Sequence, residues 1–148
     1  MIPMKVELRN FHAAEADCTC RCGKGTEPEL MIRLQAFIYI LERIYCGRVR
    51  CNITGPARCD RKQEEVYDGK PGVPSYHLGR KRTHIKGEPG AAVDVIFDYE
   101  SRTGRVTIPK ATLAQHAIES KLFGGVIWKV YAPEERFVHL DLGPVREG

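Results

Sequence analysis

The order of elements written into this chain predicts an α+β domain with a small antiparallel sheet and flanking helices. Two observations carry that reading. An amphipathic helical run precedes any convincing strand, and the later strand-like segments are grouped rather than alternating one by one with helices. A third observation bounds the size: 43% hydrophobic content over 148 residues supplies one core without disulfide staples, so residues 1–148 are expected to form a single domain.

Each element has local reasons. Over 28–46, Leu30, Leu34, Phe37, Ile38, Leu41 and Ile44 recur at helical spacing with charges between them, which predicts an amphipathic helix. Thr26 followed by Glu29 resembles a capping box, Pro28 suits a first turn, and Gly47 is placed to stop the helix. Residues 50–54 alternate as a short strand turned by Gly55-Pro56; 60–67 reads as a brief exposed helix and 68–74 as a Gly/Pro-rich loop. Residues 92–99 and 105–108 form the strands of a hairpin joined across 100–104. A helix over 110–123 is ended by Gly124-Gly125, and strands over 126–131 and 136–142 are joined tightly through Ala132-Pro133-Glu134.

The net charge of +4, with acids and bases interspersed, is too mild to imply nucleic acid, although it favours approach to an anionic polymer. No stretch is long and apolar enough to cross a membrane, and residues 1–7 lack the hydrophobic region of a signal peptide. The chain is therefore expected to be cytoplasmic as synthesised, acting outside the cell only after release. In that compartment its six cysteines favour free thiols or metal ligation over disulfides. Cys18, Cys20 and Cys22 alternate, which would put three thiols on one face, with Cys46, Cys51 or Cys59 supplying a fourth ligand for a structural zinc or an iron-sulfur cluster. The usual CxxC spacing is absent, which favours inert reduced thiols.

The chemistry concentrates in three separated segments: His77 in Ser75-Tyr76-His77, Asp94 in Gly90-Ala91-Ala92-Val93-Asp94, and His139 in Phe137-Val138-His139-Leu140-Asp141. Two imidazoles and one carboxylate suit zinc, and a fourth position left to water is the mark of a catalytic site. Asp94 opens an apolar strand, where a carboxylate is costly unless paired or bound to a cation. Strand alternation would place Glu135, Phe137, His139 and Asp141 on one face. Taken singly, a strand histidine is more often hydrogen-bonded than metal-bound, and an aspartate at a strand start is more often a turn residue. The coincidence of all three is what points to a metal. His12 and His116 have no evident partner in the sequence, and Trp128 is expected to pack in the sheet.

These three segments, the last continuing through Leu142-Gly143-Pro144-Val145-Arg146, resemble the zinc D-Ala-D-Ala carboxypeptidase family. That family also includes phage L-Ala-D-Glu endopeptidases and shares its fold with the hedgehog signalling domain. Residues 11–23 resemble the cysteine-bearing opening segment of one branch, and Ile53-Thr54-Gly55-Pro56-Ala57-Arg58-Cys59 resembles its "T-S-G-Y-R-C" segment. The resemblance implies a hedgehog/DD-peptidase-like fold, a zinc ion held by His77, Asp94 and His139, and hydrolysis of a peptide bond in peptidoglycan stem peptides. It implies Arg58 and Ser75 on the substrate, with the planar guanidinium of Arg58 on a carboxylate or a developing oxyanion. The expected partner is a peptidoglycan peptide met by a monomer, with neither nucleic acid nor membrane.

The chain departs from that family in two places. Sixteen residues separate His77 from Asp94, about ten more than the family spacing, so the extra residues around 80–86 must loop out, here expected as a surface hairpin, with His84 the competing ligand. Where many relatives place an acid three residues before the last histidine, this chain has Arg136; Glu135 is then the first choice of general base, and Asp141 is either the second choice or the orienter of a ligand imidazole. Loss of that acid also allows an alternative, a catalytically inactive cell-wall-binding or phage structural module of the same fold.

Overall fold

The computed structural model describes residues 13–20 and 22–148; His12, the start of segment 11–23 and Arg21 lie outside the described residues. The architecture is α+β. A short 3-10 turn (Ala13–Ala16) leads to α1 (Pro28–Tyr45), β1 (Val49–Gly55), α2 (Asp60–Val66), β2 (Ala92–Ser101), β3 (Gly104–Thr107), α3 (Lys110–Ser120), β4 (Gly125–Ile127), β5 (Val138–Asp141) and β6 (Arg146–Glu147). Six strands make one open sheet in the order β1-β2-β5-β4-β6, with β3 beside β2. The expected antiparallel sheet is there in β1 to β5, and the sheet is mixed only because β6, too short to register in the sequence, runs parallel to β4.

β2 organises the sheet. Its first half pairs with β5 and its second half with β3, while β1 pairs along the other edge. Alternation then separates two faces. Val93, Val95 and Phe97 of β2, Val138 and Leu140 of β5, Val126 of β4 and Val49 and Cys51 of β1 are buried in one apolar core. Against them pack Leu30, Leu34, Phe37, Ile38 and Leu41 of α1 with Leu113, Ala114 and Ala117 of α3. Each such large side chain contributes about 1.5–3 kcal/mol on burial, so the helical layer fixes which face of the sheet points inward. Phe37 sits at the centre, its ring edge-on to Phe97 and Phe123 at 5.6 Å. The opposite face carries Asp94, His139 and Asp141.

Several boundaries differ from the sequence reading, for physical reasons. The N-cap position of α1 is Glu27, whose side chain pairs with Arg80 and makes no cap bond, and the Thr26 capping box does not form: the Thr26 hydroxyl donates to Ala16 O, and Glu29 pairs with Arg33 and Arg80. The left-handed residue ending α1 is Cys46 (φ 52°), one before Gly47. α3 likewise stops at Lys121 (φ 58°), short of Phe123. β4 and β5 are shorter than expected, because pairing lasts only from Gly125 opposite Asp141 to Ile127 opposite His139. Residues 128–137 form a longer, turn-rich connection in place of a tight one. Trp128 leaves the sheet there and packs half-buried against the core. No helix among the described residues is long and apolar enough to cross a membrane.

Candidate metal centre

The sheet register builds the site. Asp94 stands opposite His139 on β5 and opposite Gly55 on β1, and His139 stands opposite Ile127 on β4, so one rung crosses four strands. β1 reaches that rung through a bulge between Ile53 and Gly55, a device that re-aims a strand end beside a site. Glycine is needed at position 55, since a Cβ there would stand 2.2 Å from Asp94 Oδ2.

His77 arrives from the loop before β2. Its backbone is held by Arg58 N–H donating to His77 O (2.9 Å) and by Ala91 N–H donating to Tyr76 O (2.8 Å). Residues 78–89 loop out between those anchors, as the ligand assignment requires, but as consecutive turns rather than a hairpin. The loop is pinned by Arg80 to Glu27 (2.7 Å) and Glu29, and by Ser75 N–H donating to Arg82 O (3.0 Å). His84 points elsewhere: its Nδ1 is 3.0 Å from Lys24 Nζ, and it takes no part in the histidine-aspartate cluster.

His77, Asp94 and His139 are buried and offer one donor atom each within 4.8 Å of one another. His77 Nε2 lies 3.2 Å and His139 Nδ1 3.0 Å from the same atom, Asp94 Oδ1. Donors bound to one zinc at about 2.0–2.1 Å in a tetrahedron stand roughly 3.4 Å apart, so the cluster needs to open only slightly to admit an ion. The outer nitrogens fit as well. His77 Nδ1 donates to Pro56 O (2.9 Å), so Nε2 is the nitrogen turned to Asp94. His139 Nε2 faces Asp141 Oδ2 at 2.7 Å. Carbonyl and carboxylate partners of this kind fix the tautomer and orientation of metal-binding imidazoles. An imidazole nitrogen and a carboxylate oxygen this close require a proton or a cation between them.

The electrostatics agree. Burial alone would raise the Asp94 carboxyl, but the hydrogen bonds from His139 and His77 outweigh it and hold the group well below the ordinary carboxylate range. Burial would lower His139, yet Asp141 and Asp94 on its two nitrogens pull it up to about 9. Asp141 is fully buried; against its burial, His139 and Arg146 keep it ionised, and Gly125 and Gly143 N–H also donate to Oδ1. Asp141 thus meets the His139 ring on the nitrogen opposite the one that faces Asp94.

The remaining sequence candidates are divided. Arg58 lies beside the cluster, with Nη2 3.9 Å from Asp94 Oδ2, and is held by Nη1 donating to Gln63 Oε1 (3.0 Å). Gln63, itself buried, donates on to Val73 O. Ser75 lines the cleft that opens over His139, together with Tyr76, Arg82, Ile127, Tyr131, Pro144 and Arg146. Glu135 does not lie on β5: it is exposed in the turn before the strand, its N–H donating to Ala132 O, so alternation does not set its face. Sequence reasoning missed Tyr131, half-buried in the cleft wall with its phenol pushed up to about 12 by burial and by the nearby Asp94 charge. Its signal was an aromatic beside a Pro-containing turn, which by itself is unremarkable. It also left His116 without its partner, the Tyr45 hydroxyl at 3.0 Å.

Comparison with protein-family models, with curated proteins and with solved structures finds no match to this chain. The class that can be stated is an α+β chain with a two-histidine, one-aspartate group able to hold a metal ion.

Proposed function

We propose that this chain is a zinc metallopeptidase acting on the stem peptides of bacterial peptidoglycan, at a terminal D-Ala-D-Ala or an internal L-Ala-D-Glu bond. The observation that carries the reading is the convergence of both imidazoles on Asp94 Oδ1 with their outer nitrogens already held. Zinc is chosen because two imidazoles and one carboxylate are the donor set of open zinc sites. The substrate class rests on the resemblance of the three segments to the peptidoglycan peptidases.

The chemistry supplied on binding is Lewis acidity, which polarises a scissile carbonyl and lets water attack near neutral pH. The chain's own groups do the rest. Asp141 keeps the His139 ring turned so that Nδ1 faces the ligand cluster. Arg58, beside Asp94 and steadied by Gln63, pairs with a substrate carboxylate or the developing oxyanion. Tyr131 keeps its proton at neutral pH and donates to the substrate from the cleft wall. Glu135, the general base proposed from the sequence, is exposed on the connection that brings Tyr131 to the cleft, and would have to turn inward from there to take the proton of the attacking water and return it to the leaving amine.

One observation favours a second reading. Glu135 is not among the residues lining the cleft, which suits a wall-binding module that retains the metal but not turnover. Mass spectrometry of purified muropeptides incubated with zinc-loaded protein separates the two and reports the bond. New fragments that disappear with His139→Ala support the peptidase; muropeptide binding without cleavage supports the module.

A further inference from the structure

The cysteines form a second group, away from the histidines. The sulfurs of Cys18, Cys20, Cys22 and Cys59 all lie within 4.8 Å of one another. Cys18 and Cys20 are 3.4 Å apart, Cys20 and Cys59 3.4 Å, and Cys18 and Cys59 3.8 Å. A disulfide would require about 2.05 Å, and all four are free thiols. Thiolates around one tetrahedral zinc, at a bond length of about 2.3 Å, stand about 3.8 Å apart. The spacing is therefore that of four ligands on a single ion.

The backbone explains how so close-set a group forms. Cys18 N–H donates to Lys24 O (2.8 Å), closing the loop that carries three of the sulfurs, and Gly23 turns it at φ 87°. Cys59 comes from the N-cap of α2. That turn is tied to the opening segment by Ala57 N–H donating to Ala16 O (3.0 Å). Lys24, only 7% exposed, faces the same pocket as Cys22 and Cys59. Four thiolates on a divalent ion leave net negative charge, and this ammonium is placed to offset it. Cys46, exposed at the end of α1, and Cys51, in the core, are separate from the group.

We propose that Cys18, Cys20, Cys22 and Cys59 bind one structural zinc ion in a closed four-thiolate site that fastens segment 18–24 to the turn carrying Arg58. Tetrahedral sulfur sites select zinc or iron, and the absence of an open position makes the role structural. Spacing set by one ion excludes an iron-sulfur cluster, whose thiolates are spread over separate irons. Because Arg58 directly precedes Cys59, the ion also fixes the base of the guanidinium that faces Asp94.

The test is elemental analysis of protein purified from zinc-supplemented culture. Cys20→Ser is expected to lose one zinc per chain and Cys46→Ser none. Since Cys20→Ser can also fail to fold, the unchanged chain is loaded with Co(II), where thiolate-to-cobalt charge-transfer bands with tetrahedral d–d absorption are expected and should persist in His139→Ala. A thiol-blocking organomercurial should release one zinc from the wild type. Iron in place of zinc, a disulfide among these cysteines in the native protein, or the lack of both thiolate-cobalt absorption and organomercurial release overturns the proposal. These signals come from sulfur alone, so they stand or fall separately from the peptidase reading.

Discussion

Asp94 and His139 face each other as a cross-strand pair on β2 and β5, and the Asp94 Oδ1 that lies 3.0 Å from His139 Nδ1 also lies 3.2 Å from His77 Nε2. One oxygen thus joins a strand register to a loop. Removing either imidazole leaves a buried carboxylate facing a half-built cluster. His77→Ala or His139→Ala should abolish metal binding at this centre, whereas His84→Ala should leave it intact; metal content of the purified variants decides. Loss with His84→Ala alone would move the site into the loop.

The carboxylate crowding on β1 can be probed without touching a ligand. In Gly55→Ala the new methyl would meet Asp94 Oδ2 at 2.2 Å, so either Asp94 turns away or β1 shifts. Metal affinity should fall by about 10- to 100-fold, as for other disturbed supporting contacts, and competition with a chelator measures it.

Without metal, the protein's pH dependence should carry the mark of His139. Its pKa is raised to about 9 from an ordinary value of about 6.5, so the stability it contributes is complete below about pH 6.5 and is lost as pH rises towards 9. Asp94 and Asp141 are held low, so their contribution is present above about pH 4 and lost as pH falls further. Melting temperature in chelator should decline on both sides of that window. Zinc should remove the alkaline decline, because the bound imidazole has already shed its proton.

Arg58→Ala should lower turnover by orders of magnitude with melting temperature and zinc content nearly unchanged. An equal loss of stability and activity would make Arg58 a structural partner of Asp94 and Gln63 instead.

Glu135→Gln should keep zinc and depress kcat by about 10² or more. Asp141→Asn breaks a buried group shared by His139 and Arg146 and should cost about 3–5 kcal/mol of stability together with metal affinity. Wild-type turnover in Glu135→Gln would remove it from the mechanism.

The sequence made some of this legible and hid the rest for identifiable reasons. α1 was readable because its buried residues recur at helical spacing, and β2 because its opening is a run of apolar, β-branched and aromatic residues buried on both faces. The three candidate ligands were readable because each sits in a distinctive local segment. Glu135 was misplaced because its alternation with His139 continues in the sequence, whereas turns around Pro133 delay the strand until Val138. β6 is two residues long, below what any pattern can signal. Cys59 was one of three equivalent choices, since its contact with Cys18 spans 41 positions and is made by the fold alone.

The turns of residues 78–89 separate chain length from site geometry. Tyr76 and Ala91 are joined by a backbone hydrogen bond, and Gly90 N–H donates to Gly25 O, so the two ends of the detour are fastened independently of what lies between. The interval between His77 and Asp94 is in effect an exchangeable cassette: residues can be added or removed there while both ligand atoms keep their places, and Arg82, which this stretch carries into the cleft wall, is a feature that can be traded without rebuilding the centre.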